Sequence, residues 1–154
     1  MAESAEAIAY DLALRSMQRQ EATLDNLRAR AGTLLSAASL STSFLAALGL
    51  NGERLSGLAW LAVVLFLAMG ICMGLILWPW DGWVFGMDTY LIVAEYVDEN
   101  RLPVAEMQRD LAIHIEENIG KNSRRLDWLF RAFAAGTLLL LTEVVVWLLV
   151  LARG

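Results

Sequence analysis

The sequence predicts an all-α integral membrane protein: a helical bundle made of a transmembrane hairpin plus a third span, with long helices extending into the cytoplasm. Three observations predict it. The 154 residues are 58% hydrophobic, with a mean hydropathy of +0.52, well above an ordinary globular domain. The apolar residues gather into three runs of the length that crosses a bilayer, about 20 residues each. The charges stand in blocks between those runs. At this length the chain is at most one domain.

The first element is a cytoplasmic helix over residues 1–30. Tyr10, Ala13, Met17, Gln20, Leu24, Leu27 and Ala31 recur at steps of three and four. That is a coiled-coil-like seam of about three heptads with Gln20 as its polar interruption. Neither Pro nor Gly occurs between Ser4 and Ala31, so this helix should run straight into the first span. The hairpin covers residues 31–78. Its first span, "AGTLLSAASLSTSFLAALGL" (31–50), is rich in Ser, Thr and small residues. Its second, "LAWLAVVLFLAMGICMGLILW" (58–78), carries no charge. The intervening "NGERLSG" is long enough only for a tight turn between antiparallel helices.

Residues 79–131 form a cytoplasmic helical segment. Asp88 offers an N-cap for a short helix, and Pro103 opens a longer one at the position where its missing N–H costs nothing. From there Val104, Met107, Leu111, Ile115, Asn118, Asn122, Leu126, Leu129 and Phe133 mark a seam close to the helical period. Gly120 interrupts that seam and is expected to loosen or break the helix. The third span, "AFAAGTLLLLTEVVVWLLVLA", occupies 132–152.

Orientation follows from Lys and Arg in the short flanks. Arg15, Arg19, Arg28 and Arg30 precede the first span, and Lys121, Arg124, Arg125 and Arg131 precede the third; the opposite side has only Arg54 and Arg153. The N-terminus and residues 79–131 are therefore expected in the cytoplasm and the C-terminus outside. Trp78, Trp80, Trp83, Trp128 and Phe130 would form a cytoplasmic aromatic belt, with Trp60 and Trp147 towards the outer face. Arg28, Arg30, Arg124, Arg125 and Arg131 are read as anchors at anionic head groups. The acidic, amphipathic "MAESAEAIAYDLALRSMQRQ" lacks the basic n-region and apolar core of a signal peptide, so an internal segment should direct insertion.

Several function classes fall away. Lone Cys72 and lone His114 cannot build a disulfide or a zinc cluster. A net charge of −5 argues against a nucleic-acid partner. No phosphate loop, nucleophile–base pair or metal-ligand spacing occurs, so no enzyme activity and no cofactor are expected. Glu116 and Glu117 are adjacent and point to different faces. Glu95, Asp98 and Glu99 read as a solvated acidic helix end.

Glu143 stands out. It lies near the middle of its span, on the order of 15 Å from either end. A charge there costs roughly 2.5 to 3.5 kcal/mol on insertion scales, and neither other span offers a Lys or Arg at that depth. One interpretation is an ion or proton path lined or gated by Glu143 with Thr142. The other is a protonated glue residue, bonded to Ser36, Ser39 or Ser43 or to another subunit. Gly32, Ser36, Ser39, Ser43 and Ala46 share one face, where small residues let helices approach and hydroxyls bond across the contact; the same stripe could instead line a pore. Gly70 and Gly74 form a small-xxx-small pair, read as helix packing and, with Gly32, as candidate oligomer contacts. Asn118 and Asn122, at seam positions, are candidates for fixing register and oligomeric state, together with Met17 and Leu24.

The run "LDNLRARAGTLLSAASLSTSFLAALGL", a charged helix leading into a short hairpin, resembles the small membrane effectors of bacterial anti-phage signalling systems, the Pycsar transmembrane effectors and SLATT proteins. The resemblance covers the whole chain as an architecture and rests in sequence on Arg28, Arg30, Gly32 and Thr33. It implies oligomerisation and disruption of the bacterial inner membrane on a trigger, and it assigns no residue a role. Two functions are thus expected. The first is a homo-oligomeric inner-membrane protein that forms or gates a pore. The alternative is a non-conducting anchor whose cytoplasmic helices, around Glu95 to Ile115, dock a soluble protein partner.

Overall fold

The computed structural model describes residues 4–49, 56–86, 89–94, 96 and 102–153. The hairpin-turn Arg54, the Asp88 cap, and Glu95, Asp98 and Glu99 lie outside them. The described residues contain no strand; they form α1 (Ala5–Gly49), α2 (Gly57–Leu77), the four-residue α3 (Thr89–Ile92) and α4 (Val104–Leu151). α1, α2 and α4 are each long and apolar enough to cross a membrane.

The helix ends follow local chemistry. Ser4 Oγ accepts from the Ala7 N–H at 3.2 Å and so caps α1. Ser56 does the same for α2, accepting from Ala59 at 3.2 Å with its own backbone extended. α2 stops where the Trp78 N–H returns to the Gly74 carbonyl and Pro79 follows, which cannot continue a helix. α1 runs unbroken from the charged segment through the first apolar run, as the absence of Pro and Gly between Ser4 and Ala31 predicts. α4 also passes through Gly120 without a break, contrary to the interruption expected there. One glycine costs a helix about 1 kcal/mol, too little to stop one 48 residues long that packs on both sides of it.

The chain divides into two compact units, Met1–Asp25 with Trp80–Leu126, and Asn26–Pro79 with Asp127–Gly154. In the first, Ala13 and Met17 of α1 and Ile115 of α4 form a buried cluster, joined by Tyr10, Leu14, Phe85, Ala112 and Ile119. Gln20 Nε2 donates to the Ile119 carbonyl at 3.1 Å, so α1 and α4 run in the same direction there. Leu24, Leu111, Asn118 and Asn122 are also buried. The two seams therefore face each other inside one chain, and Met17, Leu24, Asn118 and Asn122, read as oligomer contacts, are buried within it. Val104, expected to begin the α4 seam, is exposed.

In the second unit Ala59, Ala62, Val146 and Trp147 form the core, flanked by Leu45, Ala46, Leu58, Leu65 and Val150. Further along α2, Met69, Cys72 and Met73 close on Gly136 of α4. Early α2 thus meets late α4 and late α2 meets early α4, so these helices are antiparallel. Thr42 meets Glu143, and Leu45 and Ala46 join Val146 and Trp147, so α1 and α4 are parallel. The result is a three-helix bundle.

Candidate functional site

Glu143 is completely buried in this bundle. Thr42 donates its hydroxyl to Glu143 Oε1 at 2.5 Å, and Trp147 Nε1 donates to the same oxygen at 3.2 Å. Trp147 stands one turn beyond Glu143 on the same helix face, the spacing at which helical side chains meet. Oε2 is buried and has no hydrogen-bond partner. One oxygen therefore links α1 and α4, and the other makes no hydrogen bond.

These partners differ from the expected ones. Ser36, Ser39 and Ser43 donate back to the carbonyls of Gly32, Leu35 and Ser39 in their own helix. Within a helix a Ser or Thr hydroxyl has the carbonyl four residues before it as a ready local acceptor. The contact falls to Thr42, one residue beside the Ser stripe, because the buried face of α1 runs through Ala31, Ala38, Thr42 and Leu45. Thr142 is exposed and bonds the Leu138 carbonyl at 2.9 Å, away from the site. Trp147, expected towards the outer face, is buried in the core of the bundle.

The small-residue positions also differ. A Cβ built on Gly32, Gly70 or Gly74 would meet nothing within 4 Å. The buried face of α2 is Ala59, Ala62, Met69, Met73 and Ile76, so Gly70 and Gly74 lie beside it. The close approach is at Gly136, which sequence reasoning missed: a Cβ there would run into Met73 Cε and lie 3.1 Å from Cys72 Cβ.

A second polar cluster lies in the unit of Trp80–Leu126, where residues 80–86 run as a strap along α4. Asn122 Nδ2 donates to the Val84 carbonyl at 3.0 Å, and the Val84 N–H donates to Asn122 Oδ1 at 3.4 Å. Arg125 Nη1 donates to the carbonyls of Asp81 and Gly82, at 3.1 and 2.7 Å. Gly82 has φ +83°, and a Cβ there would stand 3.0 Å from Arg125 Nη1. Trp83 and Phe85 stack with centroids 5.5 Å apart. Asn122, read as a register residue, and Arg125, read as a head-group anchor, thus hold the strap's backbone. Arg124, Arg131, Trp78, Trp80 and Trp128 are exposed, as are His114, Glu116 and Glu117.

Asn122→Ala removes both partners of Val84 and should cost about 1–3 kcal/mol, read as a lower thermal midpoint in detergent. Asn122→Asp, which keeps only the acceptor, should fall between.

Among the described residues no three His, Cys, Asp or Glu side chains gather as metal ligands. Glu143 has a hydroxyl and an indole beside it, groups that hold a carboxyl in place. The chain matches no protein-family model, and neither a curated protein nor a solved structure is similar to it.

Proposed function

We propose that this protein is a non-conducting multi-span membrane anchor and adaptor, inserted in the bacterial inner membrane with its N-terminus in the cytoplasm. The observation that carries this reading is the closure of Glu143 by Thr42 and Trp147 of the same chain. A pore-lining carboxylate would face water, whereas this one ties two helices together. Insertion is supported by the outer face of α2, where Trp60, Val64, Leu67, Ile71 and Trp78 are exposed in one stripe. The two tryptophans lie 18 residues apart, or about 27 Å along a helix, close to the hydrocarbon thickness. Orientation rests on the eight Lys and Arg that flank spans on one side against two on the other. In this arrangement the α1–α4 pair and its strap offer the docking surface for a soluble partner.

One observation favours a second reading, a homo-oligomeric pore of the kind the anti-phage effectors form: Glu143 Oε2 is buried without a partner. A rearrangement that brought water or another subunit to that oxygen would satisfy it. Ion flux from liposomes separates the two readings. The anchor reading expects native protein and Glu143→Gln to leak no faster than empty liposomes. Sustained flux through native protein, changed in rate or selectivity by Glu143→Gln, would establish the pore and remove the anchor.

A further inference from the structure

Three cationic side chains of the three-helix bundle, expected from the sequence to be head-group anchors, gather at one level of it. Arg28 and Arg30 stand on α1 and Arg131 on α4. Among the described residues none of them pairs with a carboxylate, although Arg15 finds Asp11 at 2.8 Å. Arg28 is half-buried, and its Nε is sealed from solvent without an acceptor.

Their level in the bundle follows from its contacts. Thr42 meets Glu143, an offset of 101 residues between the parallel helices, which sets Arg30 beside Arg131 and Arg28 beside Leu129. α2 runs the other way, with Cys72 and Met73 against Gly136 and Ala62 in the cluster with Val146. The same register carries Trp78, the C-cap of α2, to the level of Phe130 and Arg131. Trp78, Trp128 and Phe130 are all exposed there. One end of the bundle therefore carries three unpaired guanidinium groups and an aromatic rim, while Arg153 lies towards the other end. Guanidinium groups match phosphate oxygens bidentately, and exposed indoles favour the boundary between hydrocarbon and water.

We infer that this end of the bundle selects anionic phospholipid head groups from the surrounding bilayer, with Arg28, Arg30 and Arg131 as the phosphate-binding groups. The inference rests on the membrane reading above and adds to the expected head-group anchoring a selection among lipids, made by three named groups at one level of the bundle. Each arginine near an anionic surface contributes roughly a fivefold preference.

The test is lipid selectivity by electron spin resonance. Full-length protein in phosphatidylcholine vesicles is probed with spin-labelled phosphatidylglycerol against spin-labelled phosphatidylcholine. Native protein should favour phosphatidylglycerol, and Arg28→Gln/Arg30→Gln/Arg131→Gln should lose most of that preference. The triple Lys variant, which keeps the charge, should retain more of it than the Gln variant, and Arg153→Gln should match native protein. Equal binding of the two lipids by native protein that resists carbonate extraction overturns the inference alone. So does a Gln triple variant with undiminished preference, or loss of the preference to inorganic phosphate but not to chloride of equal ionic strength, which would mark a free-anion site. Protein extracted by carbonate overturns the membrane reading, and the inference with it.

Discussion

Trp147→Ala should be the most damaging single substitution in the chain, lowering stability by about 3–5 kcal/mol if the bundle responds as soluble cores do to loss of a buried tryptophan. Trp147 is 1% exposed and stands at the centre of the cluster built from Ala59, Ala62 and Val146. Its removal opens a cavity that two alanines cannot collapse to fill. It also removes one of the two donors on Glu143 Oε1. Trp147→Phe separates these effects, since it keeps most of the volume and loses only the indole N–H. Side-chain hydrogen bonds in membrane proteins average roughly 0.6 kcal/mol, and this one lies within α4, so Trp147→Phe should cost a small part of what Trp147→Ala costs. Denaturant titration in detergent micelles, followed by tryptophan fluorescence or helical circular dichroism, gives both numbers. Equal losses for Phe and Ala would mean that the indole N–H on Glu143, and not the volume of the side chain, accounts for the effect of Trp147.

Gly136→Leu should come second, at about 1–3 kcal/mol or more, by overpacking. In hydrocarbon, apolar side chains gain little by leaving lipid for each other, and helices associate through close approach and interhelical hydrogen bonds. Gly136 supplies the approach between α2 and α4, and Glu143 with Thr42 supplies a hydrogen bond between α1 and α4. Gly136→Ala should be milder, because Met73 Cε is the end of a flexible side chain and can move, whereas Cys72 Cβ at 3.1 Å cannot move freely. Gly70→Leu and Gly74→Leu, with open space at both positions, should be tolerated. If they destabilise as much as Gly136→Leu does, α2 packs through its glycine pair against a further helix.

Much of this arrangement was legible in the sequence, and the remainder fails for physical reasons. The steps of three and four through Ala13, Met17, Leu24 and Leu27 name residues that are buried. The same holds for Leu111, Ile115, Asn118, Asn122, Leu126 and Leu129. A seam states that a helix has a partner without stating which one, and here the two seams found each other. Carried past Ala31 into the apolar run at the same steps, the α1 seam arrives at Ala38, Thr42 and Leu45. Carried past Phe133, the α4 seam arrives at Gly136, Glu143 and Trp147. Thr42, Gly136 and the place of Trp147 were therefore recoverable; hydropathy hid them, because in an apolar helix the buried face does not differ in polarity from the lipid face. The strap over α4 was not recoverable. Asn122 and Arg125 bind backbone there, and a backbone carbonyl leaves no residue signature.

The account depends most on α1 and α4 pairing within one chain, and cysteine cross-linking tests that directly. Met17→Cys/Ile115→Cys, placed in a Cys72→Ser background, puts two thiols into one buried cluster. Oxidation in native membranes should give a product of monomer mass, with altered mobility that a reductant reverses. A covalent dimer as the main product would show that the two seams pair between subunits, and would return the oligomeric pore to first place.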